Sequence, residues 1–265
     1  MSARRLRMGV AGLGRGFTLM LPTLMRDPRI ELVACADPRE AARQRFATEF
    51  GARAYASAEE LCNDESVEVI YVATPHQYHA AHACLAARKG KHLLVEKPMA
   101  LATHECLAMI AAARKADVQL IVGHSHSFDA PIQRAGEIIA GGSVGRVRMI
   151  NAFYYTDFLY RPRRPEELDT RVGGGVLFNQ ASHQIDVVCY LAGRRALAVR
   201  ALTGAWDPAR PTEGAYSAML EFEGGAFATL TYSGYAHFDS DELRGWIGEG
   251  GQQKSPDRHG AARRS

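Results

Sequence analysis

Apolar residues over the first 124 positions follow two alternating rhythms. Short, nearly unbroken apolar runs appear in RMGVAGLG, ELVACADP, VEVIYVATP, KHLLVEKP and VQLIVGH. Longer stretches lie between them, in which apolar and polar positions interleave: PREAARQRFATEFG, HQYHAAHACLAARKG and THECLAMIAAARKA. Unbroken runs of four to eight residues read as strands buried on both faces. The interleaved stretches read as helices, two of them stopped by Gly51 and Gly90. Strand and helix in strict alternation with short loops predict a doubly wound α/β domain, a parallel sheet with helices on both faces.

The rhythm changes near residues 124–130. GRVRMINAFYYTDF alternates as a strand of an antiparallel sheet does, and a polar, proline-broken loop follows, LYRPRRPEELDTRVGGG. One helical segment comes next, VLFNQASHQIDVVCYLAG. Three strand-like runs close the pattern, ALAVRALTGAW, AYSAMLEFEGG and AFATLTYSGYAHF, with hairpin glycines at Gly224 and Gly225. The expected second domain is α+β, with an open and mostly antiparallel sheet. Residues 1–126 form the first domain on this reading and 127–248 the second. The polar, glycine-rich stretch 249–265 is expected to be a disordered tail.

Composition narrows the class. The chain has 265 residues, 47% of them hydrophobic and 23% charged, with a formal net charge of +3. That is globular composition without the basic excess that nucleic-acid binding calls for. No apolar run approaches the roughly 20 residues of a membrane span. The start MSARRLRMGVAGLGRG is basic, but its apolar run is broken by Gly12, Gly14 and Arg15, unlike a signal peptide. Five cysteines without CxxC spacing suit reduced thiols in a cytoplasmic protein.

Candidate chemistry gathers at the predicted strand ends. Gly12-Leu13-Gly14-Arg15-Gly16 follows the first strand, and an acidic residue, Asp37, ends the second. Such a turn lets a backbone approach a pyrophosphate, and a carboxylate at this distance holds a ribose hydroxyl. Phe17 stands where the third fingerprint glycine belongs. Asp37 favours NAD; Arg39 and Arg43, close behind it, leave NADP open. Thr74, Pro75 and His76 end another strand, and Glu96 and Lys97 end the next, where open α/β sheets bind ligands. Asn179, His183 and Asp186 fall at i, i+4 and i+7 and would share one face of a helix. His124 and His126 would point to one side of a strand and could meet a substrate. Arg161, Arg163 and Arg164 form a cluster suited to a carboxylated substrate or, more plainly, a solvated basic loop. His76, His79 and His82 recur at three-residue spacing without a cysteine or carboxylate to complete a metal site, and no metal is expected.

These motifs together resemble the Gfo/Idh/MocA family of NAD(P)-dependent oxidoreductases. The glycine turn at 12–16, ATPHQYH at 73–79, GKHLLVEKPMA at 90–100 and GGGVLFNQASHQIDV at 173–187 carry the resemblance, in the family's order and spacing. RPRRPEELDT and GYAHFDSDELRGWIGEGGQ are similar to its branch of phthalate cis-dihydrodiol dehydrogenases. The resemblance implies a Rossmann first domain with NAD as cofactor. It implies that Lys97 lies between nicotinamide and substrate hydroxyl, with a cis bond to Pro98, and that His183 is the acid/base histidine. Asn179 stands where many members carry an aspartate, and an amide cannot take a proton at neutral pH. The cofactor set then comprises Gly12, Gly14, Arg15, Gly16, Asp37, Arg39, Thr74, Pro75, His76, His79, Glu96 and Lys97. Gln180 joins His124, His126 and the arginines on the substrate side. The expected activity is hydride removal from a secondary alcohol of a cyclic, carboxylated diol, with no nucleic acid or membrane partner. The resemblance implies a second sheet with more strands than can be counted here, so this one is expected to be incomplete, with an exposed edge and apolar face; family dimers that pack through that sheet imply a homo-oligomer. A nucleotide-binding homologue without turnover, regulatory or truncated, is the alternative.

Overall fold

The computed structural model describes residues 4–248 and 251–256. The chain divides into two compact units between Gly123 and His124.

The first unit is built on six strands: β1 (Leu6–Ala11), β2 (Ile30–Ala36), β3 (Arg53–Tyr55), β4 (Val69–Val72), β5 (His92–Val95) and β6 (Leu120–Val122). They lie in the order β3-β2-β1-β4-β5-β6, and every pairing is parallel. Chain order reverses between β1 and β4, which opens a crevice at the carboxyl ends of those strands. Alternation along the strands builds two cores. Met8, Val10, Val69 and Tyr71 meet Phe17 and Leu24 of α1 (Arg15–Arg26) and Phe46 of α2 (Glu40–Phe50). Ile70, Val72, Leu93 and Val95 meet Leu61 of α3 (Ala58–Cys62), three alanines of α4 (His79–Arg88) and Met109 of α5 (Thr103–Lys115). The apolar runs could be read as strands because both faces of this sheet are buried. Strand β3 and helix α3 gave no such signal. The strand has three residues, and the helix is a single capped turn whose Ser57 side chain accepts from the backbone of Glu60.

The second unit holds α6 (Ala130–Ala140), β7 (Met149–Tyr155), a π turn (Leu177–Ala181) leading into α7 (Ser182–Ala192), and β8 (Ala196–Gly204), β9 (Ala215–Phe222) and β10 (Phe227–Ser233). The sheet order is β7-β10-β9-β8. β9 and β10 form the expected antiparallel hairpin, and β8 joins β9 antiparallel. β7 departs from expectation: it pairs with β10 in parallel, so this sheet is mixed. Alternation along a strand fixes which side chains face the core, not the direction of the neighbouring strand. Tyr216, Leu220, Ala228, Leu230 and Tyr232 face Val176, Ala181, Val188 and Ala192. Met219 and Phe227 point the other way and are exposed.

The expectation of a disordered tail over 249–265 falls partly outside the described residues. Within 251–256 it does not hold. Gln253 bridges Ile247, and the Lys254 ammonium donates to Asp239 at 3.0 Å and pairs with the buried Asp241.

Candidate active site

Gly12 leaves β1 at φ +93°, where a Cβ would stand 2.7 Å from the Ala73 carbonyl oxygen at the end of β4. Only glycine lets the two strand ends approach this closely. Around Gly14 there is open space, since nothing lies within 4 Å of its Cβ position. Arg15 opens α1 and is exposed. This cradle fits a pyrophosphate at a helix N-terminus. The displaced third glycine also finds its reason. A Cβ on Gly16 would stand 3.4 Å from the Glu96 side chain and 3.8 Å from the Ala73 methyl, whereas Phe17 turns onto Phe46, ring centroids 5.6 Å apart.

Asp37 is buried at the end of β2. Its Oδ2 accepts the Leu13 N–H at 2.9 Å and Arg39 Nη2 at 2.9 Å; its Oδ1 accepts the Arg39 N–H and Nε, each at 2.9 Å. Burial acts to raise the carboxyl, but these bonds outweigh it and hold the pKa below the ordinary aspartate value. Asp37 thus pins the glycine turn as well as standing where a ribose would lie. Arg39 is neutralised by Asp37 and donates to the Leu13 carbonyl at 3.1 Å, so its charge is not free for a ribose phosphate. The residues fit NAD.

The β4 and β5 ends lie side by side through their parallel pairing. Thr74 Oγ1 is 3.2 Å from His82 Nδ1. Pro75 is exposed and His76 half-buried, its ring 5.6 Å from that of His79. His79 is fully buried, with Nδ1 2.8 Å from the Pro98 carbonyl oxygen and Nε2 2.8 Å from the Thr74 carbonyl oxygen. The placement of His79 among cofactor contacts is therefore corrected: its ring is enclosed by protein and holds the loops. Glu96 Oε1 accepts the Tyr71 hydroxyl at 2.6 Å, and Oε2 accepts the Lys97 N–H at 3.2 Å. Burial first, then the Glu96 charge, push the Tyr71 phenol well up, so it stays a donor. Lys97 is half-buried and joined to a buried Pro98 by a cis bond. Tyr71 was missed in sequence; a lone phenol inside an aliphatic strand run was its only signal.

In the second unit the glycine-rich loop leads into the π turn. That turn, with more residues per turn than an α turn, carries Asn179 and Gln180, while α7 carries His183 and Asp186. The Asn179 amide points back to the loop and donates to the carbonyl oxygens of Gly175 at 2.8 Å and Gly173 at 3.4 Å. These bonds make it a strut for the loop, in keeping with an amide that orients but takes no proton. Gln180 is half-buried on the same turn. His183 is buried on α7 and stacks on His126, centroids 3.8 Å apart and planes within 13°. His124 Nδ1 lies 3.9 Å from Asp186 Oδ1. His124 and His126 are not on a strand as expected: β6 stops at Val122, and His126 opens a short 3-10 turn. Both still reach α7.

Glu213, unflagged in sequence, organises this helix start. Its buried carboxylate accepts the Leu177 N–H at 3.1 Å and the hydroxyls of Thr170 and Thr212, while its carbonyl accepts the Val176 N–H at 3.2 Å. Gly175 has φ +76°, and a methyl there would overlap this carboxylate. Nothing near residue 213 in the sequence points to a helix more than thirty positions away. The arginine cluster is already committed. Arg161 pairs with Asp157 at 2.7 Å, Arg163 with Glu167 at 3.5 Å and Arg164 with Glu166 at 3.2 Å and Glu167 at 3.4 Å. Arg163 is also stacked on Phe158, 3.7 Å from the ring centre. Each of the three arginines thus has an acidic neighbour close in the chain. Among the described residues no group of three or more potential ligands is placed to hold a metal ion.

Two family models match in succession: the oxidoreductase family with an NAD-binding Rossmann fold over residues 6–124, and the GFO/IDH/MocA C-terminal domain over residues 132–250. The chain belongs to the Gfo/Idh/MocA oxidoreductase family. Among its relatives is the 1-carboxy-3-chloro-3,4-dihydroxycyclohexa-1,5-diene dehydrogenase of Comamonas testosteroni, 54% identical over 254 residues. That alignment takes in 96% of this chain but 64% of the relative, so the chain spans less than two thirds of that protein's length. A solved structure of a Bordetella bronchiseptica RB50 protein is similar at 48% identity and TM-score 0.93, covering 98% of this chain and 68% of the other. The structure of GenD2 from gentamicin A biosynthesis, in complex with NAD, is similar at 28% identity and TM-score 0.81, covering 89% and 67%. The Rossmann domain, the Lys97–Pro98 cis bond and the family resemblance seen in sequence are all present.

Proposed function

We propose that the chain is an NAD-dependent dehydrogenase that oxidises a secondary alcohol of a carboxylated cyclic diol. The observation that carries this reading is the 54% identity, over nearly the whole chain, to a dehydrogenase named for a carboxylated dihydroxycyclohexadiene. Oxidising such an alcohol removes one hydride and one proton. Nicotinamide, when bound, is the hydride acceptor. The chain supplies the rest. Gly12, Gly14 and the start of α1 receive the pyrophosphate, and Asp37 takes the adenosine ribose. Lys97 polarises the reacting oxygen, and His183 accepts the proton, a task suited to imidazole near neutral pH. Asn179 and Glu213 hold the loop and helix from which His183 projects.

The test is a titration of the 265-residue protein with NADH and NADPH, followed by cofactor fluorescence and thermal midpoint, then a screen of carboxylated cyclic diols for NADH formation. Saturable NADH binding, weaker NADPH binding and turnover abolished in Lys97→Ala are expected. A folded protein that binds neither nucleotide overturns the reading. Binding without turnover on any such diol overturns the substrate class.

A further inference from the structure

Among the described residues His79 is the most enclosed histidine, with 0% exposure, and its ring nitrogens meet carbonyl oxygens rather than a carboxylate. Both of its ring nitrogens stand 2.8 Å from carbonyl oxygens, those of Pro98 and Thr74. A carbonyl oxygen can only accept. A neutral imidazole carries one N–H and one lone pair, so one of the two oxygens would face a lone pair at hydrogen-bond distance. Two N–H groups satisfy both. We propose that His79 is a positioning residue for Lys97, held as a buried imidazolium that ties the Thr74 and Pro98 carbonyls and sets a fixed positive charge beside the Lys97 loop.

The groups around it set the balance. Burial is the largest influence and on balance takes the His79 pKa below the ordinary histidine value, with Lys97 acting in the same direction; the two carbonyls and the Glu96 carboxylate oppose it, so the second N–H rests on the geometry of the two oxygens against the cost of burial. His76 packs edge-on at 5.6 Å, and His82 feels the His79 charge in turn. Glu96 is held in place by the Tyr71 hydroxyl, so the counter-charge is fixed by the same fold. Charge-assisted bonds to both oxygens are what a buried cation requires. The consequence lies one residue away from the clamp. A neighbouring cation lowers a lysine's pKa, which makes its ammonium a stronger hydrogen-bond donor to the oxygen it polarises. The repulsion between the His79 and Lys97 charges supplies that cation. The charge state stands on geometry alone; its bearing on chemistry rests on the proposed role of Lys97.

Two measurements on the full chain decide it. In protein labelled with nitrogen-15 histidine, the His79 ring, recognised by its slow proton exchange, should show both nitrogens protonated between about pH 6 and pH 8. One bare nitrogen at pH 7 overturns the imidazolium. In reductively carbon-13-methylated protein, the Lys97 amine should titrate about one pH unit higher in His79→Gln than in the unsubstituted chain. An unchanged midpoint in the folded variant overturns the positioning role. If His79→Gln does not fold, His79→Asn, which keeps a donor near Nδ1, takes its place, and the histidine spectrum is unaffected. Failure to oxidise any cyclic diol with both results intact would count against the dehydrogenase reading only.

Discussion

Gly12 and Gly16 lie four positions apart and meet very different surroundings. A methyl on Gly12 would strike backbone at 2.7 Å with φ held at +93°, while one on Gly16 would make an ordinary 3.4 Å contact with Glu96. Gly12→Ala should therefore destabilise the first unit by about 1–3 kcal/mol and weaken NADH binding at least tenfold, while Gly16→Ala stays within about threefold. Fluorescence titration of both variants checks this, and equal losses would show that the close approach at Gly12 does not matter. Lys97 supports a second expectation at this scale. Lys97→Ala should lower kcat by about 100-fold or more with NADH affinity nearly unchanged, because the side chain acts on the reacting oxygen. A parallel loss of NADH affinity would make Lys97 a binding residue instead.

At the level of elements, the strands β1, β2, β4 and β5 were legible because a sheet buried on both faces writes itself as continuous apolar runs. The short β3 and α3 were not, since three residues and one turn carry no period. α6 was also missed: no residue of it is buried, although Ile132, Ala135 and Ile139 recur at helical spacing. The Lys97 strand end could be read from a charged pair closing an apolar run. The π turn that carries Asn179 could not, because a π turn has no sequence signature. Nor could Glu213, whose partners Thr170 and Leu177 are 43 and 36 positions away. Glu213→Gln keeps the shape but weakens charge-assisted bonds to the Leu177 N–H and two hydroxyls. It should cost about 1–3 kcal/mol in urea unfolding and lower kcat without a matching loss of NADH affinity. Wild-type stability and kcat in this variant would remove Glu213 from the site's support.

Across the whole molecule, acid sensitivity follows from carboxylates in both units. Asp37, Asp64 and Glu167 all have lowered pKa values; in each, burial alone would raise the value, and hydrogen bonds and nearby arginines outweigh it. For Asp64 the opposing partners are Ser66, Tyr55 and Arg53; for Glu167 they are the Arg164 N–H, Arg163 and Arg164. A carboxyl whose folded pKa is depressed contributes stability that is present above its unfolded value, about 4, and lost as pH falls through the folded value. Between those two values the unfolded chain binds more protons, so stability rises with pH. The thermal midpoint should accordingly drop as pH falls from about 5 to 3. Tyr71 and Tyr216 act at the other end: burial raises both phenols, so their contribution is present below about pH 10 and lost above it. The carboxylate part is separable. Asp37→Asn with Asp64→Asn should lower the midpoint at pH 7 by several degrees yet flatten its fall below about pH 4, so that the two curves converge in acid. Curves that stay parallel down to pH 3 would mean that these two buried carboxylates do not set the acid limit.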